Sequence, residues 1–139
     1  MQIILMEVFI RFLKKHFIFL IYHLRQLTKY FKIPYNNQKF NLVYDDALHF
    51  IKQNNKQYSV IIVDLFKDIE VPEEFLQKTF FESLLKCKTK NGVIFFNFIE
   101  NKNNESLHSL RNKFSELKIT SEVFTQKLYG TTNYVLKLY

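Results

Sequence analysis

Acidic and amide side chains stand at the ends of the most apolar runs of this chain. Asp45 and Asp46 follow the run Phe40 to Val43; Asp64 ends the run from Tyr58 and leads into Leu65, Phe66, Lys67 and Asp68; Asn97 and Glu100 close the run that starts at Val93. A carboxylate can accept from an exocyclic amino group or take a proton from an amine nucleophile. Acids gathered at successive strand ends would therefore suit an adenosine or an amine. Each acid also has a plainer explanation, Asp46 as a helix N-cap and Asp64 as a strand-end residue satisfied by loop amides. His49 and His108 each stand alone on an expected helix, the pattern of surface or internally satisfied histidines rather than of ligands. Cys87 is the only cysteine, which excludes an internal disulfide and any multi-cysteine metal site and fits a reducing, cytoplasmic setting. Gly92 and Gly130 are the only glycines, so GxGxxG, Walker A and GxSxG motifs are all excluded. Any nucleotide would have to be held without a glycine-rich phosphate loop.

The elements that must position these residues alternate between strand and helix. With 139 residues, 47% of them hydrophobic, one core is expected. Tyr58 to Asp64 is a continuous β-branched run without polar alternation, the mark of a strand buried on both faces. Phe40 to Val43 and Val93 to Phe98 read as further strands, and Thr120 to Phe124 with Asn133 to Leu138 as a closing pair joined through Gly130. Between them, one helix carries Ala47, Phe50 and Ile51 inward. A second opens at Pro72 and presents Leu76, Phe80, Leu84 and Cys87, and a third presents Leu107, Leu110, Phe114 and Leu117; Asn91-Gly92 reads as a turn. This pattern predicts an α/β domain, doubly wound, with a mostly parallel sheet and a C-terminal antiparallel hairpin. Ligands in such sheets sit at the carboxyl ends of the parallel strands, where the acids are.

The charge is concentrated at the start of the chain. Of the net +7, residues 1–34 hold six bases against one acid, while residues 35–139 are close to neutral. Bases are not spread over the main domain and interleaved with aromatics, which argues against nucleic acid as a partner. Ile10, Leu13, Phe17, Leu20, Leu24, Leu27 and Phe31 recur at spacings of three and four, so 1–34 is expected to form a basic, apolar helical segment beside the domain 35–139. Its longest uncharged stretch, Phe17 to Tyr22, is far too short to span a bilayer. Packing on its own domain is the simplest fate for that stripe; a membrane surface or self-association into a homo-oligomer are the alternatives.

The residues Asn41-Leu-Val-Tyr-Asp-Asp-Ala-Leu-His-Phe50, Tyr58-Ser-Val-Ile-Ile-Val-Asp64, Phe80-Phe81 and Lys90-Asn-Gly-Val-Ile-Phe-Phe96 resemble, in order and spacing, the C-terminal two-thirds of the spermidine synthase-like proteins. The resemblance runs from about Tyr30 to Tyr139. It implies a Rossmann-like class I methyltransferase fold, with S-adenosylmethionine or its decarboxylated form as cofactor. It further implies that Asp45, Asp46 and Ala47 hold adenine, and that Asp64 assists deprotonation of an attacking amine such as putrescine. Asp68, or else Glu70, could then help to bind that cationic substrate. Aminopropyl transfer would be the ancestral reaction and methyl transfer the alternative within the same fold.

The departures from the family are as informative. Where aminopropyltransferases carry small hydroxyl residues and a second acid, this chain has Leu65, Phe66 and Lys67, and a fixed positive charge at Lys67 would repel a polyamine. Upstream, Phe12 to Phe17 resembles the family's first helix and Leu27 to Pro34 the end of its second. No carboxylate occurs from Val8 to Asn41 and no glycine precedes Gly92. The ribose-binding acid and the glycine-rich loop are thus missing, which implies a truncated or internally deleted member with impaired or no transfer activity. A non-catalytic assembly protein using the N-terminal helix is the rival reading. Without the family's first strands, a gap would open between the strand at Val43 and the strand at Asp64. Gln2 to Met6 could supply a replacement, the strands could close ranks, or another chain could fill the place.

Overall fold

A computed structural model describes residues 3–10, 15–21, 40–67, 70–100, 106–128 and 131–139. Seven strands form one sheet: β1 (Ile3–Ile10), β2 (Lys15–Ile21), β3 (Phe40–Asp45), β4 (Tyr58–Asp64), β5 (Lys88–Glu100), β6 (Ser121–Leu128) and β7 (Thr131–Leu138). Their order across the sheet is β3-β1-β2-β4-β5-β7-β6. β2, β4 and β5 pair in parallel, and β1 and β7 run against their neighbours. Most strands therefore point one way, as expected of a mostly parallel sheet, although the pairings are mixed. The C-terminal hairpin forms as expected from two strand runs with a short connection, with Leu136 and Leu138 buried.

The first strands correct the expectation of an N-terminal helix. Ile3–Ile10 and Lys15–Ile21 are strands that pair antiparallel, Ile4 opposite Ile21 and Ile10 opposite Lys15, and they lie between β3 and β4. Ile10, Phe17 and Leu20 of the helical stripe are thus strand residues; Leu13, Leu24, Leu27 and Phe31 lie outside the described residues. The physical reason is the gap. A helix would leave the facing backbone groups of β3 and β4 unpaired, at about 1–3 kcal/mol for each buried group. Two apolar segments rich in Ile, Val and Phe can satisfy both edges as strands. Of the three open ways to fill the gap, a replacement strand at Gln2 to Met6 is nearest to what forms, but two strands rather than one take the place.

Three helices connect the later strands: α1 (Ala47–Gln53), α2 (Lys78–Lys86) and α3 (Leu107–Glu116). Asp46 caps α1, its Oδ1 accepting from the His49 amide at 3.0 Å, and Ser106 caps α3 by accepting from the Ser109 amide at 3.1 Å. The segment opened by Pro72 is divided. A 3-10 turn over Glu73–Leu76 ends where Gln77 takes an extended conformation, and α2 starts after it. Cys87 is buried at the end of α2 rather than on its inner stripe. Among the described residues no helix is long and apolar enough to cross a membrane.

The three helices bury one common face of the sheet. Phe81 lies at its centre, 5.3 Å from Phe96 and 5.0 Å, edge to face, from Phe114, with Phe75 and Phe80 extending the cluster. Fully burying such a side chain contributes about 1.5–3 kcal/mol. Ile61 and Val63 of β4 and Ile94, Phe96 and Phe98 of β5 point into this core, whereas Val60, Ile62, Phe95 and Asn97 are half-buried on the other face. The uniformly apolar β4 is therefore deeply buried on one face only. Beyond Tyr58, which pairs with Lys88, the register shifts so that Val60 meets Val93. The expected turn at Asn91-Gly92 is this bulge inside β5. A Cβ at Gly92 would sit 2.9 Å from the Tyr58 carbonyl oxygen and 2.8 Å from Lys88 Cγ, so only glycine lets the strands approach there.

Candidate functional site

The parallel arrangement brings the acids to one rim. Asp45 ends β3 and Asp64 ends β4; in register, Tyr44, Ile4, Ile21 and Asp64 form one row across the sheet. Val63 pairs with Phe96, which puts Asp64 beside Asn97. Three inter-strand steps separate β3 from β4, about 14 Å at about 4.8 Å each. The rim therefore has an acidic end at β3, apolar residue types on β1 and β2, and a second polar group at β4 and β5.

At the β3 end, Asp45 and Asp46 are both half-buried. Asp45 Oδ1 accepts from the Asp46 amide at 2.8 Å, and its two carboxylate oxygens lie 3.1 and 3.0 Å from His49 Nδ1. The hydrogen bond from His49 holds the Asp45 carboxyl below its ordinary value. His49 is thus not an isolated surface residue but the partner that orients Asp45, one helical turn away. Asp46 has the capping role that its position suggested. Ala47 is fully buried, so its methyl group belongs to the core and only its backbone borders the rim.

At the β4 end, Asn97 Nδ2 donates to Asp64 Oδ1 at 3.0 Å. The reverse amide orientation would set two oxygens against each other, so the network fixes which end faces the carboxylate. Asn97 Oδ1 is then a buried acceptor without a partner among the described residues. Sequence reasoning marked Asn97 by its place at a strand end; that it holds Asp64 is decided by register alone. Glu100, marked on the same ground, is a structural group. Its Oε1 accepts from the Leu107 amide at the start of α3 and its Oε2 from the Tyr134 hydroxyl, 3.2 Å each. Burial, together with that carboxylate, raises the Tyr134 phenol above its usual range. Asp68 lies outside the described residues; of the segment around it, Lys67 is exposed and exchanges backbone hydrogen bonds with Glu70.

Comparison with known proteins agrees with this architecture. Among solved structures, human Methyltransferase-like protein 13 in complex with SAH superposes with a TM-score of 0.63 at 17% identity, covering 83% of this chain and 55% of that one. This similarity establishes the fold: a Rossmann-like class I methyltransferase fold. Among curated proteins, the polyamine aminopropyltransferases of Methanocaldococcus jannaschii and of Escherichia coli O1:K1 / APEC are 29% and 32% identical over 59 residues, 42% of this chain. That of Serratia proteamaculans is 30% identical over the same length. Each match spans about a fifth of the relative, 20–21% of its length. The spermine/spermidine synthase domain model matches residues 18–135. That match runs from within β2 through most of β7, including both polar ends of the rim, and the chain belongs to the spermine/spermidine synthase domain family.

Proposed function

We propose that this spermidine synthase-like chain retains the amine-binding half of an aminopropyl-transfer site, and that its transfer activity is low or absent. The observation that carries the reading is the Asp64–Asn97 pair at the carboxyl ends of two adjacent parallel strands. A half-buried carboxylate steadied by an amide is suited to hold an ammonium group and to accept its proton. The neighbouring Asn97 Oδ1 is an acceptor in want of a donor. A diamine such as putrescine supplies N–H groups for both. Asp45 and Asp46, about 14 Å along the rim, stand where an adenine amino group would be held.

The middle of the rim does not fit the cofactor, S-adenosylmethionine or its decarboxylated form. The row there is occupied by Ile4 and Ile21, neither segment supplies a carboxylate at the rim for ribose hydroxyls, and no glycine precedes Gly92. The donor set matches the two ends of an adenosine-to-amine ligand and not its centre. Methyl transfer would require the same missing centre. Titration of the full chain with putrescine, S-adenosylmethionine, its decarboxylated form and methylthioadenosine tests the proposal. Saturable diamine binding, weakened at least tenfold in Asp64→Asn, is expected, together with negligible product formation. Absence of diamine binding, or an Asp64→Asn protein that binds as well as the parent, would sink the amine assignment. Turnover near that of ordinary aminopropyltransferases would sink the impairment.

A further inference from the structure

The face of the sheet opposite the three helices carries a pattern that extends the Asp64–Asn97 pair. Across β5 and β7, Asn97 stands opposite Val135 and Ile99 opposite Asn133. These four half-buried side chains share one face with Asp64, two amides on one diagonal of a square and two aliphatic groups on the other. Asn97 Oδ1 and Asn133 Oδ1 are buried acceptors without a hydrogen-bond partner, the only two such side-chain atoms among the described residues. Buried acceptors are ordinarily paired, so a diagonal of two unpaired ones points to a ligand that donates to both. Diagonal neighbours across an antiparallel pair lie about 7–8 Å apart. A four-carbon chain spans about 6 Å between its terminal nitrogens and would lie over Ile99 and Val135. From β6 the uncharged Gln126 stands opposite Asn133. Of the carboxylates near this patch, Glu100 accepts from the Leu107 amide and the Tyr134 hydroxyl, and Glu122 from Lys137 and Tyr139. That leaves Asp64 to balance a ligand's charge.

We infer that this patch selects an alkylamine with a single ammonium group and an uncharged amide about four carbons away, the ammonium held by Asp64 and Asn97 and the amide by Asn133. The inference rests on the amine reading of Asp64 above and names the class of amine. An asparagine side chain carries both donors and an acceptor, so Asn133 can pair with a ligand amide in either of its own orientations. A second ammonium at that place would give up its water for uncharged acceptors alone, the less favourable exchange. Calorimetric titration of the full chain with monoacetylated 1,4-diaminobutane, putrescine and butylamine tests it. The acetylated amine should bind about tenfold more tightly than either of the others. Asn133→Leu should remove that advantage and leave the butylamine affinity unchanged. Asn133→Asp should reverse the preference in favour of putrescine, and it carries the test if the leucine variant fails to fold. Three amines bound alike by the parent, or a preference that survives in either Asn133 variant, would overturn the inference and leave the Asp64 assignment standing. No amine bound at all, or equal binding by Asp64→Asn, would remove both.

Discussion

Asn97→Leu should leave the free protein about as stable as it is while abolishing the diamine binding proposed above. The Asn97 amide gives Asp64 a hydrogen bond of 3.0 Å to a charged acceptor, a type that contributes about 1.5–3 kcal/mol. Asp64 is only half-buried, so water can replace that donor and the lower figure applies. Against it stands the buried, partnerless Asn97 Oδ1, whose desolvation costs about 1–3 kcal/mol. Leucine has a similar shape and removes both contributions, so the net change should lie within about 1 kcal/mol of zero. Urea unfolding followed by far-ultraviolet circular dichroism measures it, with an unchanged m-value as the check that both states are comparable. A residue kept for stability would instead cost about 2–3 kcal/mol on removal. A loss above about 2 kcal/mol at constant m would refute the reasoning, because Oδ1 would then have a partner in the folded chain. Diamine titration of the same variant separates the two roles.

Gly92→Ala should destabilise by about 1–3 kcal/mol, read from the same unfolding curves, since its Cβ would meet the Tyr58 carbonyl oxygen at 2.9 Å and backbone cannot yield cheaply. His49→Ala should return the Asp45 carboxyl upward toward its ordinary value of 3.8, observable as the midpoint of an NMR titration of that side chain. Because Asp45 is held below that value, its contribution to stability is present above the unfolded-state pKa and is lost as pH falls through the folded one; the His49→Ala protein should lack that acid-side loss. Lys118 sits at φ 56 just after α3, so Lys118→Gly should raise stability by about 0.5–1 kcal/mol, seen as a higher urea midpoint.

The local rules carried most of the later chain. The Asp46 and Ser106 caps, the apolar run of β4 and the spacing of Leu110 and Phe114 act within a few residues, and the elements form where those signals stand. Pro72 and its glutamates did start a helical turn, but the extended Gln77 divides it from α2, so that Phe75 and Phe80 pack edge to face at 5.1 Å. His49 was within reach of sequence reasoning: a histidine four residues after an acid is the spacing of a helical side-chain pair. Asn97 as the partner of Asp64 was not, because 33 residues separate them and only the strand register brings them together.

The sequence alone determined the family, the α/β class and the acids that would end up at strand ends. The class and the acids follow from residue type and local periodicity, which need no knowledge of distant parts of the chain, and the family from the resemblance of several motifs in their order. Tertiary structure decided what Ile3–Ile10 and Lys15–Ile21 would become. Short apolar segments with both three-four spacing and β-branched residues are compatible with helix or strand. The choice fell to the unpaired backbone of β3 and β4, which a hairpin can satisfy and a helix cannot. The same hairpin sets the separation of the two acidic ends of the rim and puts isoleucine between them, so pairing across the sheet settles both the fold's completion and the shape of its candidate site.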